Sequence, residues 1–120
     1  MRDWRQSYQH ILSLIQTGQA EQALEVAQTA IQEHAAVYPL WELLGVAARQ
    51  TGRHTLAITA LERAVAIDPN QPSGHNNLGN ACRDVDQHER AVEAYEKAIT
   101  IRPDYPEAHN NLATVKRLLG

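Results

Sequence analysis

GHNNLGNA at residues 74–81 and AHNNLATV at residues 108–115 spell His-Asn-Asn-Leu twice, 34 residues apart. The spacing directs a comparison of the chain with itself at that offset. Residues 38–71 laid on 72–105 give eleven identities: Leu44/Leu78, Gly45/Gly79, Ala47/Ala81, Arg49/Arg83, His54/His88, Ala57/Ala91, Ala60/Ala94, Glu62/Glu96, Ala64/Ala98, Ile67/Ile101 and Pro69/Pro103. Residues 106–119 continue the series, with Pro106, His109, Asn110, Asn111, Leu112 and Arg117 repeating their counterparts in 72–85. One step toward the N-terminus sets Gly18 under Gly52, Ala23 under Ala57 and Ala30 under Ala64, with no insertion. The chain is a 34-residue unit used in series.

Each unit reads as two helices. Leu40, Leu44 and Ala47, then Leu78, Ala81 and Val85, fall on single helical stripes. The second helices are rich in alanine, and small side chains at three-to-four spacing let helices approach closely while Leu61 or Tyr95 fills the wider gap. Gly18 and Gly52 mark the turn inside a unit, Asp86 stands where the next glycine would be, and prolines 39, 69, 72, 103 and 106 punctuate the joins.

These residues resemble the tetratricopeptide pattern, W-x2-L-G-x2-Y followed by A-x3-F, A and P. Here it runs Trp41, Leu44-Gly45, Ala48, Ala57, Leu61, Ala64, Pro69, and then His75, Leu78-Gly79, Cys82, Ala91, Tyr95, Ala98, Pro103. The resemblance implies an all-α solenoid, a right-handed superhelix of antiparallel helix pairs, as a single domain over residues 1–120. Residues 38–71 and 72–105 are full repeats, and 4–37 is a degenerate one whose stripe Tyr8, Ile11, Leu12, Ile15 is offset by one residue, as expected of a cap. Residues 106–120 supply one more helix. Lys116 stands where the other units have Leu14, Ala48 or Cys82, which suits a closing helix; a truncated half repeat of a longer array reads the same way.

Composition narrows the partners. With 11 Lys and Arg against 14 Asp and Glu, the formal charge is −3, so no basic surface argues for nucleic acid or an anionic membrane. One cysteine excludes an internal disulfide and fits a reducing compartment. No run approaches the roughly 20 apolar residues of a membrane span, so a cytoplasmic protein is expected.

The histidines do not read as a site. His75 and His109 take the packing place of Trp41 on successive units, too far apart to share an ion, so no metal is expected. His10, His34, His54 and His88 read as solvated or turn residues. No nucleophile elbow or phosphate loop is present, Cys82 sits at a packing place, and Glu93 and Glu96 lie on an outer face. Neither catalysis nor a cofactor is implied.

The first helices line the concave side of such a stack. Residues there without a packing place include Asn76, Asn77, Asn80 and Arg83 in one unit and Asn110, Asn111 and Arg117 in the next. An amide both donates and accepts, which suits an extended peptide backbone. Asn76/Asn110 and Asn77/Asn111 align one unit apart, and this looks like the asparagine ladder in the repeat arm of O-linked N-acetylglucosamine transferases. Arg49, Arg83 and Arg117 form a second column for acidic groups, unless each pairs with a neighbour such as Asp84. Leu43 and Val46 offer an apolar anchor. The carboxylate clamp of heat-shock chaperone partners is absent, because its places hold Tyr8, Leu12, Leu43, Ser73 and Asn77.

The expectation is a non-catalytic scaffold binding a protein or peptide in its groove. Alanine at Asn77 and Asn111 should then weaken binding and leave the fold alone. The competing readings are self-association through the apolar groove or terminal helices, and a substrate-recognition arm of a larger enzyme such as a glycosyltransferase.

Overall fold

The computed structural model describes residues 3–120 and contains seven helices: α1 (Trp4–Gln16), α2 (Ala20–Glu33), α3 (Tyr38–Gln50), α4 (His54–Ile67), α5 (Pro72–Asp84), α6 (His88–Ile101) and α7 (Pro106–Leu119). The odd-numbered helices start 34 residues apart, so the sequence period is a period of structure. Proline fits the first turn of α3, α5 and α7, where a missing N–H has no carbonyl to lose. Inside each unit the chain reverses through a left-handed residue: Gly18 at φ 78°, Gly52 at φ 77° and Asp86 at φ 62°. Thr17 and Thr51 close the helices before those glycines by donating their hydroxyls to the carbonyls of Ser13 and Ala47 at 2.8 and 2.9 Å.

Helices pack in pairs, α1 on α2, α3 on α4, α5 on α6, and each pair passes contacts to the next odd-numbered helix. The odd helices also touch one another, α1 to α3, α3 to α5 and α5 to α7, whereas among the described residues the even helices do not. One wall is therefore shorter than the other. Odd helices line the inner side of a curved stack measuring 49 × 26 × 22 Å.

The core follows the Leu-Gly pair. A Cβ at Gly45 would lie 2.8 Å from Leu61 Cδ2, and one at Gly79 only 2.5 Å from Tyr95 Cε1, so each glycine admits the large side chain of its own second helix. The offset stripe of the first unit is present without any shift of its helix. Ile11 is fully buried at the glycine's place, while His10, at the leucine's place, is exposed. Helix α1 touches only α2 and α3, so one stripe suffices, whereas α3 meets α1, α2, α4 and α5.

Candidate interaction groove

The inner wall carries a ladder of side-chain hydrogen bonds between successive odd helices. Asn77 Nδ2 donates to Glu42 Oε2 at 2.8 Å, and Asn111 Nδ2 donates to Asn76 Oδ1 at 3.1 Å, the same rung one unit later. Arg49 Nε donates to Asp84 Oδ2 at 2.5 Å farther along the same helices. Every rung joins residues 35 apart. The Asn-Asn doublet thus has a structural use: its first asparagine accepts from the following unit, and its second donates to the preceding one.

This corrects the expectation that the asparagines have no packing place. Asn76 is 1% exposed, and its Nδ2 also donates to Glu107 Oε1 at 3.1 Å. Asn80 is 6% exposed and accepts from the Tyr95 hydroxyl at 2.6 Å and from Asn111 Nδ2 at 3.3 Å. Amides this buried need partners within the protein: Asn76 uses both its oxygen and its nitrogen, and Asn80 its oxygen. Asn77 and Asn111 are half-buried, and only Asn110 is fully exposed. Its side chain holds no hydrogen bond among the described residues, where it stands at the ladder's acceptor place.

The arginine column divides. Arg49 is committed to Asp84, as one of the two readings allowed. Arg83 reaches only Asn111 Oδ1 at 3.5 Å and Arg117 only Thr114 Oγ1 at 3.5 Å, so among the described residues these two guanidiniums have no carboxylate partner. The apolar anchor also changes. Leu43 is 9% exposed and belongs to the core, leaving half-buried Val46 beside it. Leu43 is one rung from Tyr8, so the ladder that is polar at α5 is apolar at α1.

The histidines of the repeat do something other than fill space. Trp41 Nε1 donates to the Ala35 carbonyl at 2.8 Å; His75 Nε2 meets Pro69 O, and His109 Nε2 meets Pro103 O, at the same distance. Each bond reaches back six residues and ties a helix to the join before it. A carbonyl can only accept, so both imidazoles carry their proton on Nε2. His34 and His88 are half-buried rather than solvated, the latter with Nε2 3.8 Å from Asp86. Cys82 is buried, which pushes its thiol pKa up and keeps it a thiol. Among the described residues no cluster of three or more His, Cys, Asp or Glu could hold a metal ion, and no helix is long and apolar enough to cross a membrane.

A feature missed in the sequence lies at the α1 end of the groove. Trp4 and Tyr8 of α1, Tyr38 and Glu42 of α3 and Ser73 beside them line a depression of about 400 Å³. Trp4 and Tyr8 meet edge to face, with centroids 6.4 Å apart and planes at 82°. Glu42 could have been found, since it occupies the same place in its unit as Asn76 and Asn110. The first-turn aromatics Trp4 and Tyr38 also lie 34 residues apart, an equivalence that a comparison of identities does not register.

Comparison with known proteins agrees with this architecture. The family model described as tetratricopeptide repeat matches residues 8–72, and one described as TPR repeat matches residues 79–120. An O-GlcNAc transferase mutant from Thermobaculum terrenum superposes with a TM-score of 0.88 at 30% identity over 93% of this chain, which spans 22% of that chain. The Sgt2 TPR domain from Aspergillus fumigatus gives 0.93 at 21% identity, covering 99% of this chain and 80% of that one. The second TPR domain of human RPAP3, in complex with the HSP70 peptide SGPTIEEVD, gives 0.87 at 17% identity, covering 92% of both chains. No curated protein sequence in the comparison matches.

Proposed function

The chain belongs to the tetratricopeptide repeat family, and from that premise we propose that it is a protein-interaction module holding an extended partner segment along the wall of α1, α3, α5 and α7. The observation that carries this reading is the unspent polar capacity at the α5–α7 end. Arg83 and Arg117 lack carboxylate partners among the described residues, and Asn110 presents a free amide beside half-buried Asn111. These four groups suit a backbone amide flanked by an acidic side chain. Asn76 and Asn80 act behind them, by fixing Asn111. With three helix-to-helix steps of about 9 Å each, the wall accommodates an extended segment of roughly 8 residues. A few net hydrogen bonds of about 1 kcal/mol, less ordering, place the affinity near the micromolar range.

The solved relative that carries an HSP70 tail does not transfer its ligand, because Tyr8, Leu12 and Leu43 hold clamp places that need cations or amides. The test is selection of binders from a random peptide library displayed on phage, followed by calorimetry against wild type and the Asn110→Ala/Arg83→Ala/Arg117→Ala variant. We expect at least a tenfold loss of affinity in the variant with melting little changed. Peptides that bind the variant equally well sink the reading.

Two other readings each have one observation behind them. The 30% identity over most of the chain to a transferase chain of which it spans 22% favours a recognition arm of a larger enzyme, with the same groove serving substrate. Leu118 and Leu119, 62% and 44% exposed, favour self-association through α7. A mass that stays monomeric by light scattering across a dilution series removes the latter.

A further inference from the structure

All odd helices point the same way, so equivalent positions form two rims across the groove. Near the helix C-termini the rim is basic, with Arg49, Arg83 and Arg117. At the N-termini it is acidic and aromatic: Trp4, Tyr8, Tyr38, Glu42 and, on α7, Glu107. Among the described residues neither Glu42 nor Glu107 has a cationic partner; each accepts one asparagine amide, from Asn77 and Asn76 respectively. Burial pushes the Tyr105 pKa up, and the charges of Glu107 and Glu42 add to that rise. Glu42 thus stands at the edge of the aromatic hollow with no ion-pair partner among the described residues.

We propose that the depression between α1 and α3 is a subsite for a basic side chain, an arginine or lysine of the bound segment, seated against the rings of Trp4, Tyr8 and Tyr38 with its charge toward Glu42. The edge-to-face pair sets two ring faces at right angles, which makes a corner for a flat guanidinium. At about 400 Å³ the space lies inside the roughly 300–1,000 Å³ range of ligand pockets. Arg5 already sits 5.0 Å over the Trp4 ring, on an exposed side chain tethered only to Asp3 at 3.6 Å. That stacking shows the ring in contact with a guanidinium, and Arg5, which lines the hollow itself, is the side chain that the ligand's cation would displace. The floor of the hollow is preorganised. Gly74 has no Cβ, and one there would collide with the Tyr38 hydroxyl, so the glycine lets α5 close over the end of that ring. Asn77 fixes the Glu42 carboxylate from the other side. This inference rests on the groove reading and adds a polarity to it: basic residues toward the N-terminal rim, acidic ones toward Arg83 and Arg117.

The probes are three capped pentapeptides, acetyl-Gly-Ser-X-Ser-Gly-amide, with X arginine, its uncharged isostere citrulline, or aspartate. Each is titrated to millimolar concentration into the ¹⁵N-labelled chain. We expect the arginine peptide to move the Trp4 indole N–H and the Glu42 amide, and to bind about five- to tenfold tighter than the citrulline peptide. Glu42→Gln keeps an acceptor for Asn77 and removes the charge, so it should abolish that preference without altering melting. Equal binding of arginine and citrulline peptides, or a preference that survives in Glu42→Gln, overturns the subsite. The aspartate peptide separates the two levels. Shifts at Arg83 and Arg117 with none at Trp4 leave the groove standing and remove this subsite; no shift on the inner wall with any peptide removes both.

Discussion

Helices α3 and α5 occupy equivalent places in successive units and are held by different chemistry. Buried residues of α3 are Leu40, Leu43, Leu44, Gly45, Ala47 and Ala48; those of α5 include Gly74, His75, Asn76, Gly79 and Asn80. Leu40 is replaced by Gly74, Leu43 by Asn77 and Val46 by Asn80. The second helix changes in step, as Leu61 becomes Tyr95, whose hydroxyl finds the new Asn80 at 2.6 Å. A single backbone arrangement tolerates either solution, because the repeat demands that each gap be filled and leaves open whether apolar or hydrogen-bonded side chains fill it. Apolar contact spreads its energy over area, whereas a hydrogen-bonded junction concentrates it in a few oriented groups.

The largest effects should separate the two junctions. Leu44 is 1% exposed and Leu78, its equivalent, is half-buried. Leu44→Ala should cost about 2–5 kcal/mol by denaturant unfolding, and Leu78→Ala about half that. Equal losses would mean that the α5 junction rests on apolar burial after all. Next come the glycines. Alanine gains about 1 kcal/mol of helix propensity, but at Gly79 its Cβ meets the Tyr95 ring at 2.5 and 2.7 Å, and that ring is pinned by its hydroxyl. Overpacking should win, giving a net loss of roughly 1–3 kcal/mol for Gly79→Ala, while Leu61 can turn aside and make Gly45→Ala milder.

The polar junction is also sensitive to alkali. Burial above all pushes the Tyr95 pKa up to about 12 from the usual 10, against a lowering by Arg83 and Arg49. In that interval the unfolded chain has lost a proton that the folded chain retains. Stability from this group is therefore complete below about pH 10 and falls as pH rises toward 12, by up to about 1.4 kcal/mol per pH unit. Unfolding followed across that range should be flatter for Tyr95→Phe; an unchanged slope would assign the sensitivity to Tyr38, whose pKa burial also raises. A double-mutant cycle sharpens the same contrast. Asn80→Val strands the Tyr95 hydroxyl and Tyr95→Leu removes its partner, but together they import the pair of the preceding unit. The double variant should be less damaged than the two single losses added together, by about 1 kcal/mol.

Seven helices, their joins and their left-handed turns were legible because periodicity, proline and glycine act locally. Even the drift at Ile11 was visible, although only the structure shows it as a change of face within an unshifted helix. The asparagines were not legible, for a geometric reason. Comparison at 34 residues aligns equivalent positions, but the recurring rungs across neighbouring odd helices join residues 35 apart, as where the fifth residue of one unit meets the sixth of the next. Equivalence was found and partnership was missed. The same oversight made Leu43 look open, since its rung leads to Tyr8 and the core. Trp4 and Tyr38 lie one period apart, but they escaped because they differ in identity and the pair ends at Pro72, so a search for identities passes over them.

The 35-residue rung makes the smallest prediction the most discriminating. Asn110 and Asn111 are neighbours with nearly identical intrinsic helix propensity, so alanine at either offers the same local gain. Asn111 donates to Asn76 and Asn80, and its loss strands the Asn76 oxygen in a site 1% exposed. Asn110 donates to no side chain among the described residues and is exposed. Asn111→Ala should therefore lower stability by about 1 kcal/mol, and Asn110→Ala should leave it unchanged or slightly raised. Measured with a bound peptide, the order of cleanliness reverses: only Asn110→Ala reports binding free of a stability change. The Asn77→Ala/Asn111→Ala pair, the natural choice from sequence, mixes the two, since both amides hold rungs. If Asn110→Ala destabilises as much as Asn111→Ala, the ladder is not what holds α7 to α5, and the separation of structural from spare asparagines fails with it.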